Sequence, residues 1–319
     1  MRRFDFFILL LFFFSAVYAE QYSAFDLTIG GAYSNIGWKS QVDIESKMPT
    51  LNVNLSNKGL FAVGGNFSYT WFFCRYVGIG VGAGIWRAGT NLTLNGNLTY
   101  EGVTDTDGER YNHITQIDGW RERQTLLYAE IPLALRMNIP LNGRSRSLSS
   151  NQSVSLIGEI SVAYCLPISM NYEASGTIKQ TGYYEPWHLT LHDIDEAGFY
   201  TEKNFTPSGK LPSYKFFNIG AKLGVAVSLT KRVQLTAQAA FHYSVKQVTS
   251  VEGMGLLGFR NDRIGQEQTH YFMSEYTTLA QTNLLQGKPK LMNIGLEIGV
   301  RFMLQHSKHS KYPCRCWID

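Results

Sequence analysis

The sequence predicts an all-β protein, an eight-stranded antiparallel transmembrane β-barrel with long extracellular loops. Three observations predict it. Eight segments alternate apolar and polar residues with a period of two, the period of a strand and not of a helix. The apolar face of these segments carries no charged residue. The connections between them alternate long and short, as in outer-membrane barrels with short periplasmic turns and long outer loops.

Composition agrees by exclusion. Of 319 residues, 17% are charged and 13% aromatic, and 30 are glycine. A charged fraction below the usual quarter with many aromatics excludes a disordered chain. The glycine content disfavours a helical bundle, because glycine weakens helices. Four cysteines in this length do not make a disulfide scaffold. The 29 basic and 25 acidic residues are spread along the chain. Nucleic acid is therefore not an expected partner, since such binders gather their cations in a patch.

Residues 1–19 read as a secretory signal peptide. Arg2 and Arg3 precede an apolar run from Phe6 to Phe14, and Val17-Tyr18-Ala19 gives small residues at the cleavage positions. The run is far below the roughly 20 residues a spanning helix needs. The expected organisation is a signal over 1–19, a barrel over 20–304 and a C-terminal tail over 305–319. The expected location is the bacterial outer membrane, reached by export.

The strands are expected at about 22–33, 60–72, 77–86, 125–138, 153–165, 216–229, 233–246 and 289–304. The last shows the pattern well. Met292, Ile294, Leu296, Ile298, Val300 and Phe302 share one face, while Asn293, Gly295, Glu297, Gly299 and Arg301 share the other. A soluble sandwich would bury the same pattern, but with strands at regular spacing of about 8–12 residues. Here the gaps 34–59, 73–76, 87–124, 139–152, 166–215, 230–232 and 247–288 run long, short, long, intermediate, long, short, long. The strands also reach the 9–11 residues that cross a membrane at a tilt. Aromatics near the strand ends, among them Tyr69, Trp71, Phe72, Tyr76, Trp86 and Phe217, suit interfacial girdles.

The polar face would line the lumen. It carries four acids, Asp26, Glu130, Glu159 and Glu297, and four bases, Arg136, Lys222, Lys246 and Arg301. Eight strands leave an interior just wide enough for side chains. Buried charges persist when paired and hydrogen-bonded. A salt-bridged plug is therefore expected in place of a pore. Gly78, Gly80, Gly82 and Gly84 alternate on that face and would make room for long side chains. They lack the strand-turn-helix context of a phosphate loop, and no cofactor is expected. Pro132 lacks a ladder donor, which predicts a bulge there.

The loops offer little chemistry. No metal site is assigned; the weak candidates are His188, His192, Asp193 and Asp195, in an exposed polar stretch without the helical zinc-protease pattern. Asp105-Thr106-Asp107-Gly108-Glu109 reads as a plain turn. Asn95-Gly96, between alternating residues, predicts a hairpin inside the 87–124 loop. Cys74 and Cys165 fall at opposite ends of the barrel, too far to bridge. Cys314 and Cys316 lack the spacing of a redox motif.

The segments 126–139, LLYAEIPLALRMNI, and 294–302, IGLEIGVRF, resemble outer-membrane β-barrel families common in Bacteroidota, including the PorT-like group. The Glu130-Ile131-Pro132-Leu133 step and the aromatic ending the last strand carry the resemblance. It implies an eight-stranded barrel inserted by the barrel-assembly machinery through its last strand. About 15 residues follow that strand here, which departs from the pattern. The expected surroundings are outer-membrane lipid and lipopolysaccharide, with a surface ligand or protein partner for the loops. The expected role is surface-exposed, structural or interactive, without catalysis. The alternatives are an accessory role in secretion or envelope assembly and an outer-membrane enzyme.

Overall fold

A computed structural model of the chain describes residues 22–40, 50–74, 76–105, 107–141, 153–194, 199, 201–230, 232–249, 279 and 285–305. The expected export signal and the tail with Cys314 and Cys316 lie outside the described residues. Eleven strands are present among the described residues: β1 Tyr22–Ser40, β2 Thr50–Phe72, β3 Val77–Thr104, β4 Arg110–Pro140, β5 Val154–Tyr184, β6 Leu189–Leu191, β7 Thr201–Phe205, β8 Ser208–Lys210, β9 Phe216–Ser228, β10 Val233–Ser244 and β11 Leu285–Gln305.

Eight of them close a ring in the order β4, β3, β2, β1, β11, β10, β9, β5, with β5 pairing back to β4. Every pairing in the ring is antiparallel. Closure leaves no edge among these strands, the condition for strands to cross lipid. The three short strands β6, β7 and β8 all pair with the outer half of β5.

The apolar face points outward. Leu133, Ile160 and Leu296 are 60%, 68% and 68% exposed, although they are large and aliphatic. A soluble barrel or sandwich would bury them. Strands β9 and β10 match the expected spans to within two residues at each end. The others run further, and β3, β4 and β5 reach 28, 31 and 31 residues, about three times what a membrane crossing needs. From Arg87 to Thr104 the surplus of β3 extends roughly 60 Å at about 3.3 Å per residue.

Above the membrane band the polarity inverts while the strands continue. On β4, Glu130 and Arg136 face inward and Leu133 and Leu135 face outward. Further out on the same strand, Trp120 and Leu126 are fully buried while Arg121 and Arg123 are exposed. Leu92, Leu94, Leu98, Ile117 and Ile178 join this inner apolar layer. The switch follows the solvent: hydrocarbon bathes the lower outer face and water the upper one. The outer part is therefore packed like an ordinary soluble core.

Three expectations need correction. The 87–124 segment does contain a hairpin, formed by the outer parts of β3 and β4, but Asn95-Gly96 is not its turn. The residues lie within β3, paired to β2 through Asn54↔Asn95 and Val53↔Gly96. Pairing to β2 holds both residues extended, Gly96 also pairs with Ile117 of β4, and the β3–β4 register shifts between Leu94 and Gly96, where Gly96 has φ 137°. A second shift faces it between Asp118 and Arg121, and the Gly119 N–H donates to Asn95 Oδ1 at 2.6 Å. The reversal comes at Asp105, whose Oδ1 accepts from the Asp107 and Glu109 N–H groups. This is the turn expected over 105–109.

Pro132 makes no bulge. It pairs with Ala163 in unbroken register. On the β3 side the ladder passes from Val81↔Leu133 to Gly84↔Glu130 with no change of register. The ladder thus omits the proline pair locally and resumes. The bulge in this region lies between Leu127 and Tyr128. Finally, Phe72 and Trp86 are not interfacial. Both are buried and face inward, following the even-numbered parity of their strands.

Candidate functional site

The lumen is closed by three layers. At the periplasmic end Tyr22 stacks on the buried Phe72, with ring centroids 4.3 Å apart. At the outer end Trp86, Tyr128 and Phe216 fill the bore, with Tyr128 edge-on to Phe216 at 5.4 Å. Trp86 lies against Gly64 and Gly30, where an added Cβ would come within 2.3 Å and 3.0 Å of its ring. Gly80 makes the same kind of room for the Arg136 guanidinium, 3.3 Å from the position of an added Cβ.

Between these layers runs a chain of alternating charge. Arg301 Nε donates to Asp26 Oδ1 at 2.5 Å. Arg136 Nη1 donates to Asp26 Oδ2 at 2.7 Å, and its Nε donates to Glu159 Oε2 at 2.7 Å. Lys222 Nζ lies 3.5 Å from Glu159 and 2.9 Å from Glu297. His242 Nε2 lies 3.6 Å from the other Glu297 oxygen. Register explains much of this. Asp26↔Arg301, Arg136↔Glu159 and Glu159↔Lys222 are direct cross-strand partners. The contact of Arg136 with Asp26 crosses the bore. The remaining void beside Asp26, Arg136, Glu159 and Lys222 is about 10 Å³, the space of about one water.

Seven of the eight expected lumen charges are buried. Six form the chain. Glu130 stands apart and accepts from Trp86 Nε1 at 2.9 Å. Lys246 corrects the expectation: it is exposed just past the end of β10, with its ammonium 5.9 Å over the Phe217 ring. The strand ends at Ser244, so its parity no longer places residue 246 inside. His242 was not singled out in the sequence, although the same parity marks it.

The outer half holds a second polar group. The buried Glu122 carboxylate accepts from Gln124 Nε2 at 2.7 Å and from the Leu279 backbone N–H at 2.7 Å. Gln124 in turn accepts from Trp38 Nε1. Leu279 is itself fully buried, so Glu122 pins a residue of the last long connection into the barrel mouth. Near the tip, buried His113 contacts Gln180 at 2.6 Å, and burial lowers its pKa to about 4.

Among the described residues the metal candidates do not converge. His188 and His192 flank the extended β6, which separates them by roughly 13 Å at about 3.3 Å per residue. His188 contacts the Tyr183 hydroxyl at 3.3 Å, and Asp193 accepts from Thr201. Asp195 lies outside the described residues. Among the described residues no three His, Cys, Asp or Glu side chains are grouped to hold a metal. Cys74 and Cys165 are both free.

The outward face of the extended sheet carries a concave surface of about 580 Å³. Lys58, Asn91, Arg123 and Glu173 form one cross-strand row of it on β2, β3, β4 and β5. Thr93, Arg121 and Ser175 form the next.

A closed ring of strands with a hydrocarbon-facing outside and a charged inside defines an outer-membrane β-barrel protein. No protein-family model and no curated protein matches the sequence. Similar solved structures include Ail, the attachment invasion locus protein of Yersinia pestis, in complex with the heparin analogue sucrose octasulfate. It has 10% identity and a TM-score of 0.27, over 88% of this chain and 99% of that one. Another is the outer membrane protease OmpT from Escherichia coli, with 7% identity and a TM-score of 0.22, over 90% and 97%. Identities and scores this low transfer neither ligand nor activity to this chain.

Proposed function

We propose that the protein is a non-conducting, non-catalytic surface barrel that acts by interaction through its extended outer sheet. One contrast carries the reading. The bore is filled from end to end, whereas strands β2 to β5 project far beyond the membrane and expose a concave face. A scaffold that spends its length outside the bilayer presents a surface, and rigid scaffolds commonly carry function on what they project.

The test has two parts. An epitope inserted after Gly108, whose Cβ position is open to solvent, is expected to bind antibody on intact cells. The purified barrel is expected to give no conductance steps in a planar bilayer. A shielded epitope or regular conductance steps overturn the reading.

A role in secretion or envelope assembly rests on the segments 126–139 and 294–302. Both lie almost wholly in membrane strands, so they support an architecture more than a pathway. Cargo retained in the periplasm on deletion would favour that role.

A further inference from the structure

The exposed charges of this barrel are segregated by height. Just above the lipid-facing band the described charges are basic. Arg87 follows Ile85 on the outward face of β3, and Lys215 immediately precedes β9. Lys246 lies over the Phe217 ring, and Lys290 over the Tyr243 ring at 5.3 Å. Long cationic side chains lying on interfacial aromatics keep their apolar stems toward lipid and their heads at the polar boundary. The concave face with Lys58, Arg121 and Arg123 begins four residues beyond Arg87, at Asn91, and continues this zone outward. It holds three cations against one carboxylate, Glu173. Nearer the tip the sign reverses. There the exposed side chains include Glu101, Asp107, Glu109, Asp118 and Glu185, against Arg110 among the exposed bases.

We propose that the concave face formed by Lys58, Arg121 and Arg123 seats the phosphorylated sugar head of an outer-leaflet glycolipid, with Arg87 below it at the membrane boundary. Phosphate oxygens are matched by guanidinium forks, which bind them in a bidentate manner. The height of the site selects the source of the anion. A lipid head is held at the level of the rim by its own acyl chains. A soluble polyanion approaches from outside and meets the acidic tip first. Asn91, Thr93 and Ser175 supply neutral hydrogen-bonding groups of the kind sugar hydroxyls use. The inference rests on the outer-membrane surface reading above. A shielded epitope or conductance overturns that reading, whereas unchanged lipid binding overturns only this one.

The experiment titrates the full-length, detergent-folded barrel with purified rough-type lipopolysaccharide. The parallel probes are the same lipid after enzymatic dephosphorylation and a soluble sulfated oligosaccharide. The variant Lys58→Gln, Arg121→Gln, Arg123→Gln is compared with a control of equal charge loss away from the rim, Arg110→Gln, Lys179→Gln, Arg232→Gln. All three site residues are exposed, and the heat-dependent gel shift reports whether each variant is folded. The site variant is expected to bind the phosphorylated lipid at least tenfold more weakly and the control within twofold of the parent. The dephosphorylated lipid is expected to bind the parent as weakly as the phosphorylated lipid binds the site variant. Should the triple variant fail to insert, Arg123→Gln alone is expected to lose about threefold. Parent-like binding by a folded site variant overturns the proposal, as does equal affinity for the dephosphorylated lipid. Tighter binding of the soluble oligosaccharide than of the lipid also overturns it, by assigning the site to a free polyanion.

Discussion

Arg136 on β4 donates to Asp26 on β1, three strands away around the wall, at 2.7 Å. The contact crosses the bore and ties opposite walls together. Both groups keep a second ion partner on a neighbouring strand, Arg301 for Asp26 and Glu159 for Arg136. Asp26, Arg136, Glu159 and Lys222 each have two ion partners in this chain, which is what makes burial of so many ions tolerable.

Removing one link should cost more than removing a neutral neighbour. Arg136→Met is expected to destabilise the barrel by about 3–5 kcal/mol, the usual penalty for leaving a buried charge without its partner. Thr70→Val, which removes a hydroxyl accepting from the same guanidinium, should cost about 1 kcal/mol. Urea unfolding from lipid vesicles measures both. The Arg136→Met barrel should remain non-conducting, because the Tyr22–Phe72 and Trp86–Tyr128 layers stay in place.

The inversion of polarity along one strand face predicts opposite tolerances ten residues apart. Leu133 and Arg123 both point outward from β4. Leu133→Arg places a cation in hydrocarbon and should cost about 2–4 kcal/mol. Arg123→Leu changes a water-facing position and should stay within about 0.5 kcal/mol. Equal costs in the same unfolding assay would contradict the assigned membrane band.

Glu122 makes a charge-assisted bond to a backbone amide inside the barrel mouth. Such bonds contribute about 1.5–3 kcal/mol. Glu122→Ala should therefore accelerate hydrogen exchange of the Leu279 amide by at least tenfold, with exchange of the β9–β10 ladder unchanged.

His113 predicts an acid weakness of the outer sheet. Its folded pKa, about 4, lies below the ordinary histidine value of 6.5 because burial disfavours the charged ring. Between those values the unfolded chain binds the proton and the folded chain does not, so stability rises with pH. The contribution is present above about pH 6.5 and is lost as pH falls toward 4, by roughly 2–3 kcal/mol. Thermal unfolding followed from pH 7 to pH 4 should show this loss, and His113→Gln should flatten it.

How much of this was legible in the sequence differs from element to element. Residues 292–302 showed their faces by parity alone, and β11 follows that parity. The same logic found seven buried lumen charges, because a period of two is a local property that needs no partner strand. It failed at Lys246, where the strand had already ended. It misplaced the turn at Asn95-Gly96, where the dipeptide is held extended by pairing to Asn54 and Val53 of β2. The concave face was out of reach for a related reason. Lys58, Arg121, Arg123 and Glu173 come from three distant stretches that read as plain loops.

The sequence by itself determined the eight strands, their two faces and the membrane as the solvent of one face, since each follows from residue order along a single segment. Only the tertiary structure decided which charges meet across the bore, where the apolar face turns from outside to inside, and that much of the expected loops over 34–59, 87–124 and 166–215 continues the sheet. Those outcomes depend on strand stagger and ring closure. Both are set by the packing of all eight strands together, and no single segment encodes them.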